Sequence, residues 1–166
     1  MRDVDVVVNL AGPGELELLR NMMELYLYDF SEFDGADLDA HGRYGYEWLD
    51  GYVNDDGCYA YVIRVNSKLA GFALVDGEVL GVSRDHSIAE FFVLKKYRCV
   101  GVGRSAAFQI FDALPGRWEI GQLENNVPAQ QFWRRVIAAY THGSYEENFW
   151  DDENWTGPVQ SFDNVK

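Results

Sequence analysis

The period of the apolar positions changes repeatedly along the chain, and each change predicts an element. The opening VDVVVNL is a nearly unbroken apolar run and reads as a strand. Pro13 then starts a helix in which Leu16, Leu19, Met23, Tyr26 and Phe30 share one face. SEFDGADLDAHG is polar and acidic and predicts a loop, and the spacing of Tyr44, Trp48 and Tyr52 predicts a second, short helix. CYAYVIRV and LAGFALV, rich in β-branched and aromatic residues, predict a hairpin joined through NSK. SIAEFFVL reads as a fourth strand.

After Gly103 the period becomes helical through Ala107, Phe108, Phe111 and Leu114, until Pro115-Gly116 stops it. WEIGQLE predicts a fifth strand. In NNVPAQQFWRRVIAAY, Pro128 lies near a helix start, and Ala129, Phe132, Trp133, Val136 and Ile137 fall on one face. The aromatic and acidic remainder, THGSYEENFWDDENWTGPVQSF, carries weak strand signals. Strands and helices alternate in the second half, which predicts a mixed α/β fold.

Composition narrows the function. At 166 residues the chain fits a single domain spanning 1–166, long enough to bury a proper core. A formal net charge of −13 argues against general nucleic-acid binding, which needs a basic face, and suits a cationic small molecule. Solubility alone is the plainer reason for such a surface. No apolar run approaches the roughly 20 residues that span a bilayer. The first residues are too acidic for a secretion signal, and Cys58 and Cys99 make no disulfide framework, so a cytoplasmic location is expected. His41, His86 and His142 are scattered and give no metal-ligand spacing, so no metal is expected.

Against that acidic background one stretch is basic. KKYRCVGVGRSA contains Lys95, Lys96, Arg98 and Arg104, and no acid lies between Phe91 and Phe111. A strand, a glycine turn and a new helix together expose backbone N–H groups at a helix start, where phosphate is the natural ligand. Gly101 and Gly103 lack a Cβ, which lets oxygens approach the amides and permits positive φ. A helix start with solvated lysines and arginines is the plain alternative. The turn also contains G-x-G-x-x-A (Gly101, Gly103, Ala106), with Glu124 where a ribose-binding acid would stand in a dinucleotide site. KKYRCV separates the strand from Gly101, however, and too little chain follows for repeated βαβ units, which disfavours a dinucleotide-dependent redox enzyme.

The same residues resemble the GNAT superfamily of acetyl-CoA-dependent N-acetyltransferases. Arg98-Cys99-Val100-Gly101-Val102-Gly103 fits R/Q-x-x-G-x-G/A, and Asn126, Ala129 and Phe132 fit N-x-x-A-x-x-F/L-Y, with Trp133 replacing its tyrosine. LAGFALV is similar to the family's glycine-containing third strand, and the likeness runs from about residue 69 to 137. EFFVLKKYR and FWRRVIAAYT are similar to a bacterial-type subgroup.

The resemblance implies one GNAT-like domain with a central mixed, mostly antiparallel sheet flanked by helices. It implies acetyl-CoA as co-substrate and a primary amine as acceptor. By resemblance, the turn from Arg98 through Cys99, Val100, Gly101, Val102 and Gly103 to Arg104 holds the CoA pyrophosphate. Backbone groups of Phe91, Phe92 and Val93 take the pantetheine arm as an added strand, and an N–H near Val93 serves the developing oxyanion. Asn126 contacts the cofactor arm, although a helix cap alone accounts for its position.

Indole cannot act as an acid near neutral pH, so Trp133 is expected to pack near the thioester rather than protonate the thiolate. Glu90, the one acid in an apolar strand, is the candidate base, and alternation predicts that it shares a face with Ile88 and Phe92. A solvated or salt-bridged strand glutamate is the structural alternative. The acidic, aromatic segments LYLYDFSEFDGADLD and YEENFWDDENW point to a small cationic amine. A non-catalytic acyl-CoA-binding or sensing module is the alternative function, and a homodimer is compatible with the resemblance.

Overall fold

The computed structural model describes residues 4–77 and 84–165. Its strands are β1 (Val6–Leu10), β2 (Tyr59–Val65), β3 (Lys68–Asp76), β4 (His86–Val93), β5 (Arg117–Gly121), β6 (Glu146–Asp151) and β7 (Thr156–Asp163). Its helices are α1 (Leu16–Asp34), α2 (Leu49–Asn54), α3 (Val102–Ala113) and α4 (Val127–Thr141). The strands form one seven-stranded sheet in the order β1-β2-β3-β4-β5-β7-β6, with every neighbour antiparallel except β4 and β5. The single parallel pair follows from the α3 crossover.

Helices cover both faces. Leu19, Met22 and Met23 of α1 and Leu49 of α2 pack on Ala60, Val62, Phe72, Leu74 and Phe92. On the opposite face, Ile110 and Phe111 of α3 and Trp133, Val136 and Ile137 of α4 pack on Tyr61, Ala73, Val75, Ile88, Trp118, Ile120 and Phe162. Among the described residues, no helix is long and apolar enough to cross a membrane.

Two helix boundaries differ from the sequence pattern. The expected acidic loop begins four residues late, because α1 continues through Ser31 to Asp34 and stops at Gly35 with φ +70°. A tilted contact of Tyr26 with Phe30 and an edge contact of Phe30 with Phe33 keep that last turn worth forming. The short second helix covers only Leu49–Asn54 and leaves Tyr44 and Trp48 outside. Instead, the Glu24 carboxylate accepts the N–H groups of Tyr44 and Gly45, both at 2.8 Å, and Gly45 has φ +74°. A side chain on α1 therefore satisfies backbone that a longer helix would have satisfied itself. The weak strand signals of the tail become full strands β6 and β7, paired to each other from Glu146↔Ser161 to Asp151↔Thr156.

Candidate active site

The site is built by a departure from regular pairing between β4 and β5. Their parallel ladder consists of His86↔Trp118 and Ser87↔Glu119, although β4 runs on to Val93 and β5 to Gly121. On its other side β4 stays bonded to β3 as far as Leu94, whose N–H donates to Ala70 C=O at 2.8 Å. Antiparallel alternation then turns the peptide groups of Phe92 and Glu90 toward β3 and those of Phe91 and Val93 toward the gap. An open strand edge thus faces a cleft of about 350 Å³. Tyr26, Asp34, Glu90, Gln122, Asn126 and Trp155 supply its polar lining.

A β-bulge aims Glu90. Leu74 pairs with Glu90 but Val75 with Ile88, so Ala89 is an extra residue in β4. Glu90 therefore shares the α1 side of the sheet with Phe92, whereas Ile88 packs on the opposite side with Trp118 and Ile120. Simple alternation, which grouped Glu90 with Ile88, fails here because the bulge resets the pleat. Burial in this apolar strand pushes the Glu90 carboxyl above its ordinary value, while hydrogen bonds from Tyr26 and Tyr46 pull the other way and Asp76 and Asp34 add to the rise.

At the other end of the cleft the chain makes the basic turn. Arg98 is extended, Cys99 has φ +62°, and Gly101, the residue before α3, has φ +88°. The first carbonyl used inside α3 is that of Gly101, which accepts Ser105 N–H at 3.0 Å. The amides of Gly101, Val102, Gly103 and Arg104 are therefore the helix-start donors that lack an intrahelical partner. A Cβ built on Gly101 meets nothing within 4 Å, so the space above the amides is open.

Gly103 has a different role from the one the motif suggests. It lies inside α3, and an added Cβ would stand 3.0 Å from the Phe132 ring, itself tilted on Phe91 at 5.7 Å. Its glycine permits close packing of α3 on α4. Gly103→Val is accordingly expected to lower the melting temperature by several degrees, on the scale of about 1–3 kcal/mol of overpacking. Calorimetry without ligand checks it.

The basic side chains divide. Arg98 donates from Nε to Val93 C=O at 2.7 Å and from Nη2 to Asp29 at 2.6 Å, and it lies over the Phe92 ring. Lys95 also approaches Asp29, at 3.3 Å. Arg98 thereby ties the end of β4 to α1 and gives the turn its shape. Lys96 lies over Tyr97, and Arg104 lies over Phe108 on α3.

Asn126 does cap α4, its Oδ1 accepting Ala129 N–H at 3.2 Å, and it also lines the cleft. Trp133 is 5% exposed, with its ring 5.0 Å from those of both Phe91 and Phe132. Trp133→Ala should cost about 3–5 kcal/mol of stability by denaturant titration, as expected for a buried aromatic, while Trp133→Phe should preserve fold and most turnover. Asn125 closes the far rim by donating to Phe33 C=O at 2.8 Å.

Two further cleft residues carry unsatisfied polar atoms. Buried Gln122 donates to Ile120 C=O at 3.1 Å and to Gln160 Oε1 at 2.7 Å. Gln160 donates onward to Glu147 at 2.8 Å, and the Arg134 guanidinium holds the Glu147 carboxyl below its usual range. A carboxylate only accepts, so both amide orientations are fixed. This leaves Gln122 Oε1 an acceptor, and Trp155 Nε1 a donor, with no partner among the described residues. Groups that a fold leaves unsatisfied at a cleft suit a polar ligand. Sequence pattern passed over Gln122, whose signal was an amide inside an apolar strand, and reached Trp155 only as the end of the acidic, aromatic segment YEENFWDDENW.

The geometry has known counterparts. Over 98% of this chain and 99% of the other, the fold matches an acetyltransferase from Thermus thermophilus, with TM-score 0.68 and 15% identity. A GNAT-family acetyltransferase from Staphylococcus aureus matches over 96% and 99%, with TM-score 0.62 and 14% identity. Arabidopsis thaliana NAA60, solved with a bisubstrate analogue, matches over 96% and 98%, with TM-score 0.61 and 15% identity. No curated protein matches the sequence significantly. The family model for the acetyltransferase (GNAT) family matches residues 19–137, which takes in most of α1, the bulged β4, the glycine turn and most of α4. The open edge, the turn and all of the named polar cleft lining except Trp155 therefore sit where one family's sequence pattern lies, and the chain is a GNAT acetyltransferase, an acyltransferase of the acetyl-CoA-using kind.

Proposed function

We propose that the protein acetylates the primary amine of a small cationic molecule. The observation that carries this reading is the juxtaposition, in one cleft, of an unpaired β4 edge and the Glu90 carboxylate. The residues fit acetyl-CoA: the Phe91 peptide groups and the Val93 N–H, which face the gap while Arg98 holds the Val93 carbonyl, suit its amide-bearing arm, and the Gly101–Arg104 amides suit its pyrophosphate. Bound there, it supplies an activated acetyl thioester. The Val93 N–H is directed to the gap, where it can donate to the oxyanion that develops on the acyl carbon. Glu90 accepts the proton of the incoming ammonium, directly or through one water, so that nitrogen has a free lone pair. Trp133 supplies no proton and instead shapes the wall with Phe91. Asn126, Gln122 and Trp155 offer polar contacts that orient the ligands.

The cation preference rests on Tyr26, Phe30, Asp34 and Trp155 beside Glu90. The test is thiol release from acetyl-CoA across a panel of amines. Polyamines, amino sugars and basic amino-terminal compounds should exceed anionic amino acids by at least about tenfold in kcat/KM, the equivalent of one well-placed charge. Equal or better use of anionic acceptors would defeat the cation preference. Tight acetyl-CoA binding with no thiol release for any amine would instead make the chain a binding module.

A further inference from the structure

Arg98 is the first residue of the glycine motif, in the basic stretch of an acidic chain. Its guanidinium is nonetheless committed to the protein at three points. Nε donates to Val93 C=O at 2.7 Å, and Nη2 donates to Asp29 Oδ2 on α1 at 2.6 Å. Cζ lies over the Phe92 ring, 5.6 Å from its centre. Lys95 meets the other oxygen of the same carboxylate at 3.3 Å but is largely exposed, whereas Arg98 and Asp29 are half-buried. Water screens the exposed ammonium, while the planar guanidinium holds two acceptors in fixed directions.

Each contact bears on a different part of the cleft. The gap-facing groups at the end of β4 are the N–H and C=O of Phe91 and of Val93. Because Arg98 takes the Val93 carbonyl, the Phe91 carbonyl is the acceptor left on that stretch, between two N–H donors. A ligand that adds along this edge through an amide therefore finds one place for its N–H. With the Val93 carbonyl open, the same amide could slip by two residues, about 6.6 Å of strand rise. That is far beyond the tolerance of a reacting pair. Asp29, meanwhile, lies on α1 between Tyr26 and Phe30, which line the cleft. Phe92 packs on Tyr26 with ring centres 5.7 Å apart. One guanidinium thus grips both the open edge and the helix that walls the cleft opposite it.

We propose that Arg98 is a positioning residue, which sets the register of the acetyl-CoA arm on β4 through Val93 and Asp29 and does not serve as a phosphate-binding cation. The proposal rests on acetyl-CoA lying along the β4 edge. Arg98 ends that edge on a donor, so an N–H of the arm goes to Phe91 C=O and the thioester stops at a fixed distance from Glu90. Asp29 offsets the guanidinium charge and keeps the side chain from swinging onto the cofactor phosphates. The pyrophosphate is left to the helix-start amides.

The test separates affinity from chemistry. Arg98→Ala should bind acetyl-CoA within about threefold of the parent by calorimetric titration, less than the tenfold or more that a lost charged hydrogen bond to phosphate brings. Its kcat, read with the amine that the parent uses fastest, should fall about 10²-fold, the scale of a misplaced reacting atom. Asp29→Ala should lower kcat by less. The double variant should be no slower than Arg98→Ala, because one residue acts through the other. A second readout needs no amine: NMR of bound acetyl-CoA labelled with carbon-13 at its acetyl carbonyl. In the parent this resonance should lie downfield of free acetyl-CoA, since the thioester oxygen accepts a backbone N–H. In Arg98→Ala it should move back toward the free position. Where Arg98→Ala fails to fold, Asp29→Ala carries both readouts.

Acetyl-CoA affinity lost by about tenfold or more with kcat kept would make Arg98 a phosphate contact and overturn the proposal. So would additive losses in the double variant, or a bound resonance that neither substitution moves. A parent that binds no acetyl-CoA would overturn the β4 reading together with the proposal. The expected resonance shifts in a protein that turns over no amine would uphold the role of Arg98 and defeat only the proposed acceptor.

Discussion

Glu90→Gln is expected to lower kcat/KM by about 10²-fold near neutral pH, the lower end of what a positioned base contributes. The substitution keeps size and shape and removes only the ability to take a proton. Because burial raises the Glu90 pKa, the parent's activity should climb as pH rises through that raised value, which lies above the ordinary carboxylate range. Below it Glu90 is protonated and idle, so parent and variant converge there. At high pH more amine arrives already neutral, and the gap should narrow again. The signature is a deficit that peaks between these limits. A pH–rate profile parallel to the parent's, with little activity lost, would return Glu90 to a structural role.

Gly101→Val should weaken acetyl-CoA binding by at least about 10²-fold while leaving the fold intact. Two effects add. A β-branched residue at φ +88° is held in a region that costs on the order of 1–3 kcal/mol. Its side chain also fills the open space above the helix-start amides, where an added Cβ meets no protein atom. The contrast with Gly103→Val is the test. Thermal shift with acetyl-CoA should be lost in the first variant, whose ligand-free melting temperature falls only modestly. The second should lose stability before ligand is added. A full ligand-induced shift in a folded Gly101→Val protein would remove the turn from the cofactor site.

How far the sequence reaches depends on whether a feature is local. The α3 stripe and the Asn66-Ser67 hairpin were legible because period and turn chemistry are encoded over a few residues. Both turn residues indeed have positive φ, 48° and 64°. The glycine motif was legible in position but ambiguous in cause. Gly101 serves the backbone angle, whereas Gly103 serves Phe132, which lies in another helix. The Ala89 bulge was invisible, since nothing in IAEFF distinguishes an extra residue from a regular pleat until Leu74 and Val75 choose their partners. Tyr52 looked like a helix-face residue. Its hydroxyl partner, Asp76, comes from β3, so no spacing along the chain could disclose it.

The short ladder between β4 and β5 has a mechanical consequence. With His86 and Ser87 as its rungs to β5, the sheet is two panels, β1–β4 and β5–β7, joined like a book at one end of its spine. The Asn125 bond to Phe33 is a light clasp at the opposite end. A ligand lodged between the panels acts as a keystone, bearing on Phe91 and Val93 from one side and on Gln122 from the other. Occupancy should therefore stiffen both panels together: acetyl-CoA should slow amide exchange in β4 and β5 in parallel, although the two strands share almost no direct pairing.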